Sequence, residues 1–505
     1  MHIMERLLHI SKKFVGTLTY ERIVIAVIVG LALILRFWNL EGLPRFSYDE
    51  GNYCDISENT ANGKFMWWSH SFYGPTFWNL PLFFIFVAFS FKLFGSGIVQ
   101  ARAVSAIFGT LTCYLAYRFG KDILNKEKVG ILAAGLYAID SYALAIDRLA
   151  LLDTTQSFFI ALSIFFWYLN YKRNKQTYTI IAGICAGLAI LTKATGVFAI
   201  LVLVVSTLIG AINGKRELEQ SLRRFIILIG TCILTVSPYL IFARLSDPNV
   251  FQTMLGMYFL RSQRGEAQGI YYFALSIRSN PLIFGFGFVG LAYSIIMRKR
   301  EEVLLFLPWI LTPTMILLSA NKLPLRYLSP LFLPLILATS SFVINIVIIM
   351  RFKIRNKRAV EKTLEVFANP RILLSILIGL IVLIGLYNTL NGVSTIFTSE
   401  GDYEPQQVAE YLDLYVEENA TIVGNPAIDF LSKKHVFHDI QTLIENAERH
   451  GNYTLHQSLV RVLDYLIIDP EWKYGWGISP ELQALLESRC VLERVFGDTE
   501  LYRVL

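Results

Sequence analysis

Cysteine is sparse in this 505-residue chain and never clustered. The five, Cys54, Cys113, Cys185, Cys232 and Cys490, form no CxxC or CxxxC pair, which excludes a metal knuckle and leaves no disulfide framework. Charge is scarce as well: 17% of residues are Asp, Glu, Lys or Arg, against 54% hydrophobic ones. That balance argues against a soluble protein and for a polytopic membrane protein. No internal repeat or low-complexity tract interrupts the chain, and no small-residue cleavage site follows the first apolar run, which is too long for the core of a signal peptide. With Arg6, Lys12, Lys13 and Arg22 ahead of it, this run reads as an uncleaved first span whose N-terminus is cytoplasmic. A net charge of +7 would suggest nucleic acid in a soluble chain. Here the inner loops account for it, and no nucleic-acid partner is expected.

What is abundant is apolar sequence in lengths that suit a bilayer. Crossing about 30 Å of hydrocarbon takes roughly 20 residues. Suitable runs lie near residues 23–38, 101–119, 129–146, 154–171, 178–192, 197–212, 225–243, 281–297, 303–320, 328–350 and 372–388. Basic clusters such as Lys172/Arg173/Lys175, Arg298/Lys299/Arg300 and Arg351/Lys353/Arg355 fall between them, and the positive-inside tendency puts these on one face. This works only if the additional apolar stretch Phe77 to Phe94 does not cross, so it is taken as an interfacial or re-entrant segment on the outer side. The expected fold is a polytopic α-helical membrane protein of about eleven transmembrane helices, N-terminus in and C-terminus out.

Beyond Asn388 the composition turns polar and mixed. Helices near 405–418, 440–449 and 480–487 alternate with strands near 421–423, 465–470, 490–496 and 501–504, a pattern that suggests a small α/β domain. Two units follow: a membrane domain over 1–395, with a first outer loop at about 39–100, and an extracytoplasmic α/β domain over 396–505.

On this topology the ionisable residues inside or beside spans gather in one outer layer. Asp140, Asp147, Arg148, Asp153, Lys193, Arg244 and Arg326 all fall there, alongside Asp49 and Glu50 of Ser47-Tyr48-Asp49-Glu50-Gly51. Charges within a membrane protein usually face a cavity or one another and mark a working site. Arg36, Lys92 and Arg244 are as well explained by pairing or snorkelling. Arg148 and Asp153, bracketing apolar residues in a short loop, are harder to explain as solvated surface. The layout suits group transfer from a lipid-anchored donor, whose reacting bond lies at the membrane surface. A carboxylate would act as general base on an acceptor hydroxyl, and fixed cations would stabilise a departing phosphate. Arg261, Arg264, Lys322 and Arg326 are outer-loop cations that run against the positive-inside bias, which favours a bound anion.

The stretches Arg36-Phe37-Trp38, Tyr48-Asp49-Glu50-Gly51, Tyr73-Gly74-Pro75, Arg148 to Asp153, Leu191-Thr192-Lys193 and Lys322 to Tyr327 resemble the GT-C glycosyltransferases, nearest the branch of protein O-mannosyltransferases and the lipid A aminoarabinose transferase. The resemblance covers about residues 20 to 345. It implies a polyprenyl-phosphate-linked sugar donor, an acceptor on a protein, lipid or glycan, an active site on the outer face of the plasma membrane, and inversion at the anomeric carbon. On it, Asp49 would be the base, Glu50 and Asp153 would shape the acceptor site, and Arg148 would hold their geometry. Arg261, Arg264, Lys322 and Arg326 would hold the donor phosphate, with Lys193 a further donor-side candidate.

This chain departs from the pattern in its first outer loop. Relatives carry His-Pro-Pro or Glu-Lys-Pro-Pro where it has Tyr73-Gly74-Pro75-Thr76, with His70 upstream. The divalent metal of some relatives then has no clear ligand pair, and no metal is expected to be required. His70, near Trp67 and Trp68, reads as an interfacial residue. The competing reading is a transporter or flippase of lipid-linked sugars, which calls for ionisable groups or broken helices near the midplane. The sequence offers neither clearly.

Overall fold

The structure, a computed structural model, describes residues 20–42, 44, 46–64, 68–69, 74–75, 79–211, 215–252, 254, 274, 280–318, 325–356, 404–417, 420, 422–424, 426–432, 436–438, 463–468 and 480–505. The first helix among the described residues, α1 (Tyr20–Phe37), exposes Ile23, Val27, Leu31 and Ile34 along one face while Ile25, Ala32 and Arg36 are buried. A polar helix, α2 (Tyr48–Ala61), follows; its Glu50, Asn52, Asp55, Ser57 and Asn59 are buried, so it lies within the protein rather than in lipid. Asn59 donates to Asp55 at 2.8 Å, one turn apart. The apolar α3 (Leu82–Phe94) comes next. Its 13 residues rise only about 20 Å, short of a hydrocarbon core, and it packs on α2 through Phe83 and Phe84 against Tyr53.

The bundle continues with α4 (Ile98–Arg118), α5 (Glu127–Ile139), α6 (Ser141–Asp147), α7 (Leu152–Arg173), α8 (Gln176–Thr192), α9 (Phe198–Ala211) and α10 (Lys215–Ser246). After it come α11 (Phe286–Ile296), α12 (Arg300–Leu318) and α13 (Ser329–Asn356). By length and hydropathy alone, four described helices can cross a bilayer: Ile98–Ile123, Glu219–Ser246, Arg300–Leu318 and Arg326–Ile349. The run expected as one span over 129–146 is instead a pair, α5 and α6, bent by 61°. The break falls at Asp140, whose backbone is extended and whose carboxylate accepts from Ala143 N–H at 2.9 Å, capping α6. Leu82–Phe94, Gln176–Thr192, Ala194–Ile209 and Leu282–Ile296 are shorter apolar helices, and the run expected at 372–388 lies outside the described residues.

A buried ion pair ties α1 to the end of α6. Arg36 Nε donates to Asp147 Oδ2 at 2.9 Å, and its other nitrogens reach the carbonyls of Ala32, Ala138 and Tyr137. Thr154 Oγ1 donates to Asp147 Oδ1 at 2.9 Å. Desolvating such ions is costly, and the pair holds because its remaining donors and acceptors are also occupied. Gly109 on α4 makes the room: a β-carbon there would stand 2.3 Å from Asp147 Oδ2 and 2.7 Å from Arg36 Nε.

Residues 404–505 contribute α14 (Glu404–Tyr415), β3 (Ile422–Gly424), α15 (Pro426–Leu431), β4 (Val436–His438), β5 (Tyr465–Ile468), α16 (Pro480–Arg489), β6 (Cys490–Phe496) and β7 (Thr499–Val504). Two earlier strands, β1 (Trp68–Ser69) and β2 (Gly74–Pro75), pair as an antiparallel ladder in the first loop. The five later strands make one mixed sheet in the order β4-β3-β5-β7-β6, parallel on the β4-β3-β5 side and antiparallel on the other. Val408, Leu412, Ile422, Ile467 and Leu501 form its core. The helix expected at 440–449 lies outside the described residues. Phe430 of α15 packs against Phe46 and Phe91, with ring centroids 5.9 and 6.0 Å apart, seating the sheet unit on the first loop.

Two glycine substitutions test the Arg36–Asp147 site. Gly109→Ala is expected to lower the thermal unfolding midpoint in detergent by several degrees, because the added methyl displaces the ion pair. Gly135→Ala, on α5 with open space where the β-carbon would go, should leave the midpoint unchanged or raise it.

Candidate active site

Successive residues of a helix point about 100° apart, so the adjacent carboxylates at the start of α2 cannot share a surroundings. Glu50 turns inward and is fully buried. Arg102 of α4 grips it with both arms, Nε to Oε1 at 2.8 Å and Nη2 to Oε2 at 2.9 Å. Ala150 N–H donates to Oε1 at 2.8 Å, and Ser47 donates to Oε2 through its N–H at 3.0 Å and its hydroxyl at 3.3 Å, so both oxygens have more than one partner. The same guanidinium donates to the Leu40 carbonyl at 2.9 Å and lies over the Phe46 ring. Arg102 falls inside a run that the sequence marks only as apolar, and its partner is 52 residues away; a lone arginine near the start of a span was the one available signal.

Asp49 turns the other way and is about one-third exposed. Its carboxylate pairs with the guanidinium of Arg326, which stands on the short turn Leu325–Leu328 ahead of α13. Arg326 Nε also lies 4.0 Å from Asp153 Oδ2 at the start of α7. Lys193, just past the end of α8, donates to Asp153 Oδ1 at 2.6 Å and sits 3.8 Å from the centroid of the Tyr327 ring. Gln156 holds that lysine's backbone in place, donating to its carbonyl at 3.3 Å and to Thr195 Oγ1 at 2.6 Å. Ser157 and Ser329 share a hydrogen bond of 2.9 Å, joining α7 to α13 directly below.

Tyr53, one helical turn after Asp49, completes the group. Packing against Phe83 and Phe84 desolvates its phenol, and with Asp49 nearby the pKa is pushed well above the usual tyrosine value. It remains a neutral hydrogen-bonding group at physiological pH. Tyr53 is not singled out by sequence pattern, and Tyr327 enters only as the last residue of the Lys322 to Tyr327 stretch.

Arg148 and Asp153, read together from the sequence, have separate tasks. Arg148 is buried and donates to the carbonyls of Leu35 at 2.7 Å and Asn39 at 3.1 Å, with a longer bond to Arg36. These are the unsatisfied carbonyls at the end of α1, where a cation is favoured. Burial and the neighbouring cations Arg102 and Arg36 lower its pKa to about 10, which leaves it charged at neutral pH. It thereby fixes the loop whose Ala150 N–H reaches Glu50.

The result is two tiers of charge. The deeper one, Glu50, Arg102, Arg148, Arg36 and Asp147, is closed to solvent; the upper one, Asp49, Asp153, Lys193 and Arg326, borders a partly exposed surface. Arg261, Arg264 and Lys322 lie outside the described residues, as does His70. Among the described residues no group of three or more His, Cys, Asp and Glu side chains is placed to hold a metal ion. The upper tier supplies two carboxylates able to accept a proton and two cations able to hold an anion, within one ion-paired cluster.

Residues 26–261 match the family of dolichyl-phosphate-mannose-protein mannosyltransferases. An uncharacterised protein of Aquifex aeolicus is 28% identical over 170 residues, 33% of this chain and 34% of that protein. The undecaprenyl phosphate-alpha-4-amino-4-deoxy-L-arabinose arabinosyl transferase 1 of Pseudomonas fluorescens is 25% identical over 319 residues, 59% of this chain and 55% of that protein. The chain thus spans about a third and about half of these two relatives. Among solved structures, ArnT of Cupriavidus metallidurans bound to undecaprenyl phosphate superposes with a TM-score of 0.70 at 14% identity, over 95% of this chain and 97% of ArnT. The apo oligosaccharyltransferase of Archaeoglobus fulgidus gives 0.61 at 15% identity, over 90% of this chain and 70% of that one. The fold is therefore that of these polytopic α-helical membrane proteins, and over residues 26–261 the chain is similar to the dolichyl-phosphate-mannose-protein mannosyltransferases, with a further likeness in sequence to the aminoarabinose transferase.

Proposed function

We propose that this chain transfers a sugar from a polyprenyl-phosphate donor to an acceptor hydroxyl, on the extracytoplasmic face of the plasma membrane. The observation that carries the reading is the meeting of Asp49, Asp153, Lys193 and Arg326 from four separate segments of the chain in one partly exposed cluster. The family match and the donors named for ArnT and for the Pseudomonas transferase support the choice of donor.

In this mechanism Asp49 takes the proton of the acceptor hydroxyl as its oxygen attacks the anomeric carbon. The bond from that carbon to the phosphate oxygen breaks with inversion, and the electron pair leaves on the polyprenyl phosphate. Arg326 and Lys193 receive the charge that develops there. Asp153 holds both cations in position and shapes the acceptor side. Arg261, Arg264 and Lys322 add further positive charge from the outer loops. Glu50, enclosed by Arg102, acts as a positioning residue: it orients the first turn of α2 and with it Asp49. Arg148 positions the opposing loop. The membrane unit covers 1–395, and 396–505 form an outer unit seated on it.

Neighbouring carboxylates are expected to fail in different ways. Asp49→Asn should retain the wild-type unfolding midpoint and lose transfer by about 10²–10⁴-fold, the usual contribution of a general base. The assay is mass spectrometry of glycosylated products in cells lacking the chain and complemented with the variant; normal product levels would remove Asp49 as the base. Glu50→Gln strips a buried arginine of its counter-charge, a loss of about 3–5 kcal/mol. Its primary effect should be a fall in the unfolding midpoint, with Arg102→Lys, which keeps the charge but not the fork, showing the same fall to a lesser degree.

A further inference from the structure

The far end of the bundle holds a second feature that the transfer reaction does not use. Asp153 opens α7 and Lys172 lies near its end, about 28 Å further along the helix axis. There a cavity of about 310 Å³ opens between α7, α9, α10 and α12. Such a volume is at the lower end of what small-molecule sites occupy.

Its lining is segregated by chemistry. Trp167 and Tyr171 of α7 form an aromatic wall, with Trp167 braced edge-on by Phe225. Ser206 and Thr207 on α9 and Ser221 on α10 line it as well, the Thr207 hydroxyl donating to the Leu203 carbonyl at 2.7 Å and keeping its acceptor capacity. The Tyr168 hydroxyl, bonded to Ser206 Oγ at 2.7 Å and donating to the Leu304 carbonyl, closes the inner end. Lys172 and Arg300 line the same space against the carboxylate of Glu301. Glu301 is 61% exposed and reaches Lys172 at only 3.5 Å, a weak hold in water. A third cation is adjacent: Arg224 lies over the Tyr171 ring and donates to Asn174 at 2.8 Å.

Cations exceed carboxylates here, in a recess of aromatic rings and hydroxyls at the end of apolar helices. Leu222 and Ile226, one turn apart on α10 and starting beside Ser221, are exposed and offer an apolar surface for acyl chains leading away from the recess. A basic recess between transmembrane helices at the membrane boundary is the arrangement that recognises anionic headgroups. We infer that this cavity binds the phosphate headgroup of an anionic phospholipid, in the leaflet opposite the carboxylate cluster. Lys172 and Arg300 contact the phosphate, the hydroxyls of Ser206, Thr207 and Ser221 bond the polar remainder, and Trp167 and Tyr171 set its depth. The lipid would tie α7, α9, α10 and α12 together at this end, where Lys172 of α7 also reaches Glu301 of α12.

Thermal unfolding of the full chain in uncharged detergent tests this. Phosphatidylglycerol is expected to raise the midpoint by about 3 °C or more, in a concentration-dependent way. Phosphatidylcholine and inorganic phosphate should leave it unchanged. The double variant Lys172→Gln/Arg300→Gln should lose the rise, and so should Thr207→Leu, which fills the cavity without touching charge and serves if the double variant does not fold. An equal rise in either variant would overturn the proposal. So would a rise with phosphatidylcholine, which would mean charge is not read, or with inorganic phosphate, which would mean the lipid is not needed. None of these residues belongs to the carboxylate cluster, so the result is independent of the proposed transfer reaction.

Discussion

Glu50 and Arg102 form the contact on which the rest of this site depends. A carboxylate and a guanidinium with no solvent access must satisfy each other almost completely, and two parallel bonds do that here. The remaining capacity of the carboxylate is filled by backbone N–H groups from Ser47 and Ala150. Three separate segments, the start of α2, the start of α4 and the loop before α7, therefore have one permissible arrangement. Asp49 inherits its position from this, since a helix whose second carboxylate is clamped has no freedom to rotate the first.

The other buried charges extend the same logic. Arg36 and Asp147 join α1 to the α6 end, and Arg148 closes the carbonyls at the end of α1. Arg36 and Arg102 spend donors on carbonyls as well as on carboxylates, and Arg148 donates to carbonyls, which is how three guanidinium groups coexist with two carboxylates in the interior. Above them, the cluster of Asp49, Asp153, Lys193 and Arg326 is built on helix ends and short turns, yet each of its supports is braced from below. Gln156 fixes the backbone of Lys193, and the Ser157–Ser329 bond fixes α13 beneath Arg326. A rigid charged floor under a partly open charged surface suits chemistry that must hold its groups still while substrates come and go.

Much of this was legible in the chain alone. The Asp49-Glu50 pair, Asp153, Lys193 and Arg326 stand out because charge is rare in an apolar sequence, and the structure brings Asp49, Asp153, Lys193 and Arg326 together. The strands and helices of the C-terminal unit follow from alternation and turn residues, and those over 422–424, 465–468, 480–489, 490–496 and 499–504 fall close to where pattern places them. What pattern cannot supply is who meets whom. Periodicity is a local property, whereas Arg102 meets Glu50 across 52 residues and Arg36 meets Asp147 across 111. Nor does it separate the roles of two adjacent carboxylates, because that depends on which face of α2 is covered. The bend at Asp140 was hidden for a related reason: its flanks are mostly apolar, and the marks of the break are Asp140, a residue type that caps helices, and the Ser141 beside it.

The C-terminal sheet unit is tied to the buried charges of the bundle. Phe430 lies against Phe46, and the Phe46 ring lies under the guanidinium of Arg102, 5.7 Å from its centroid. Two aromatic contacts thus connect a helix of the soluble-like unit to the innermost ion pair of the membrane bundle. Lifting that unit away would expose the face of Phe46 and loosen the cover over an ion pair closed to solvent, so the C-terminal unit acts as a cork for the electrostatics beneath it.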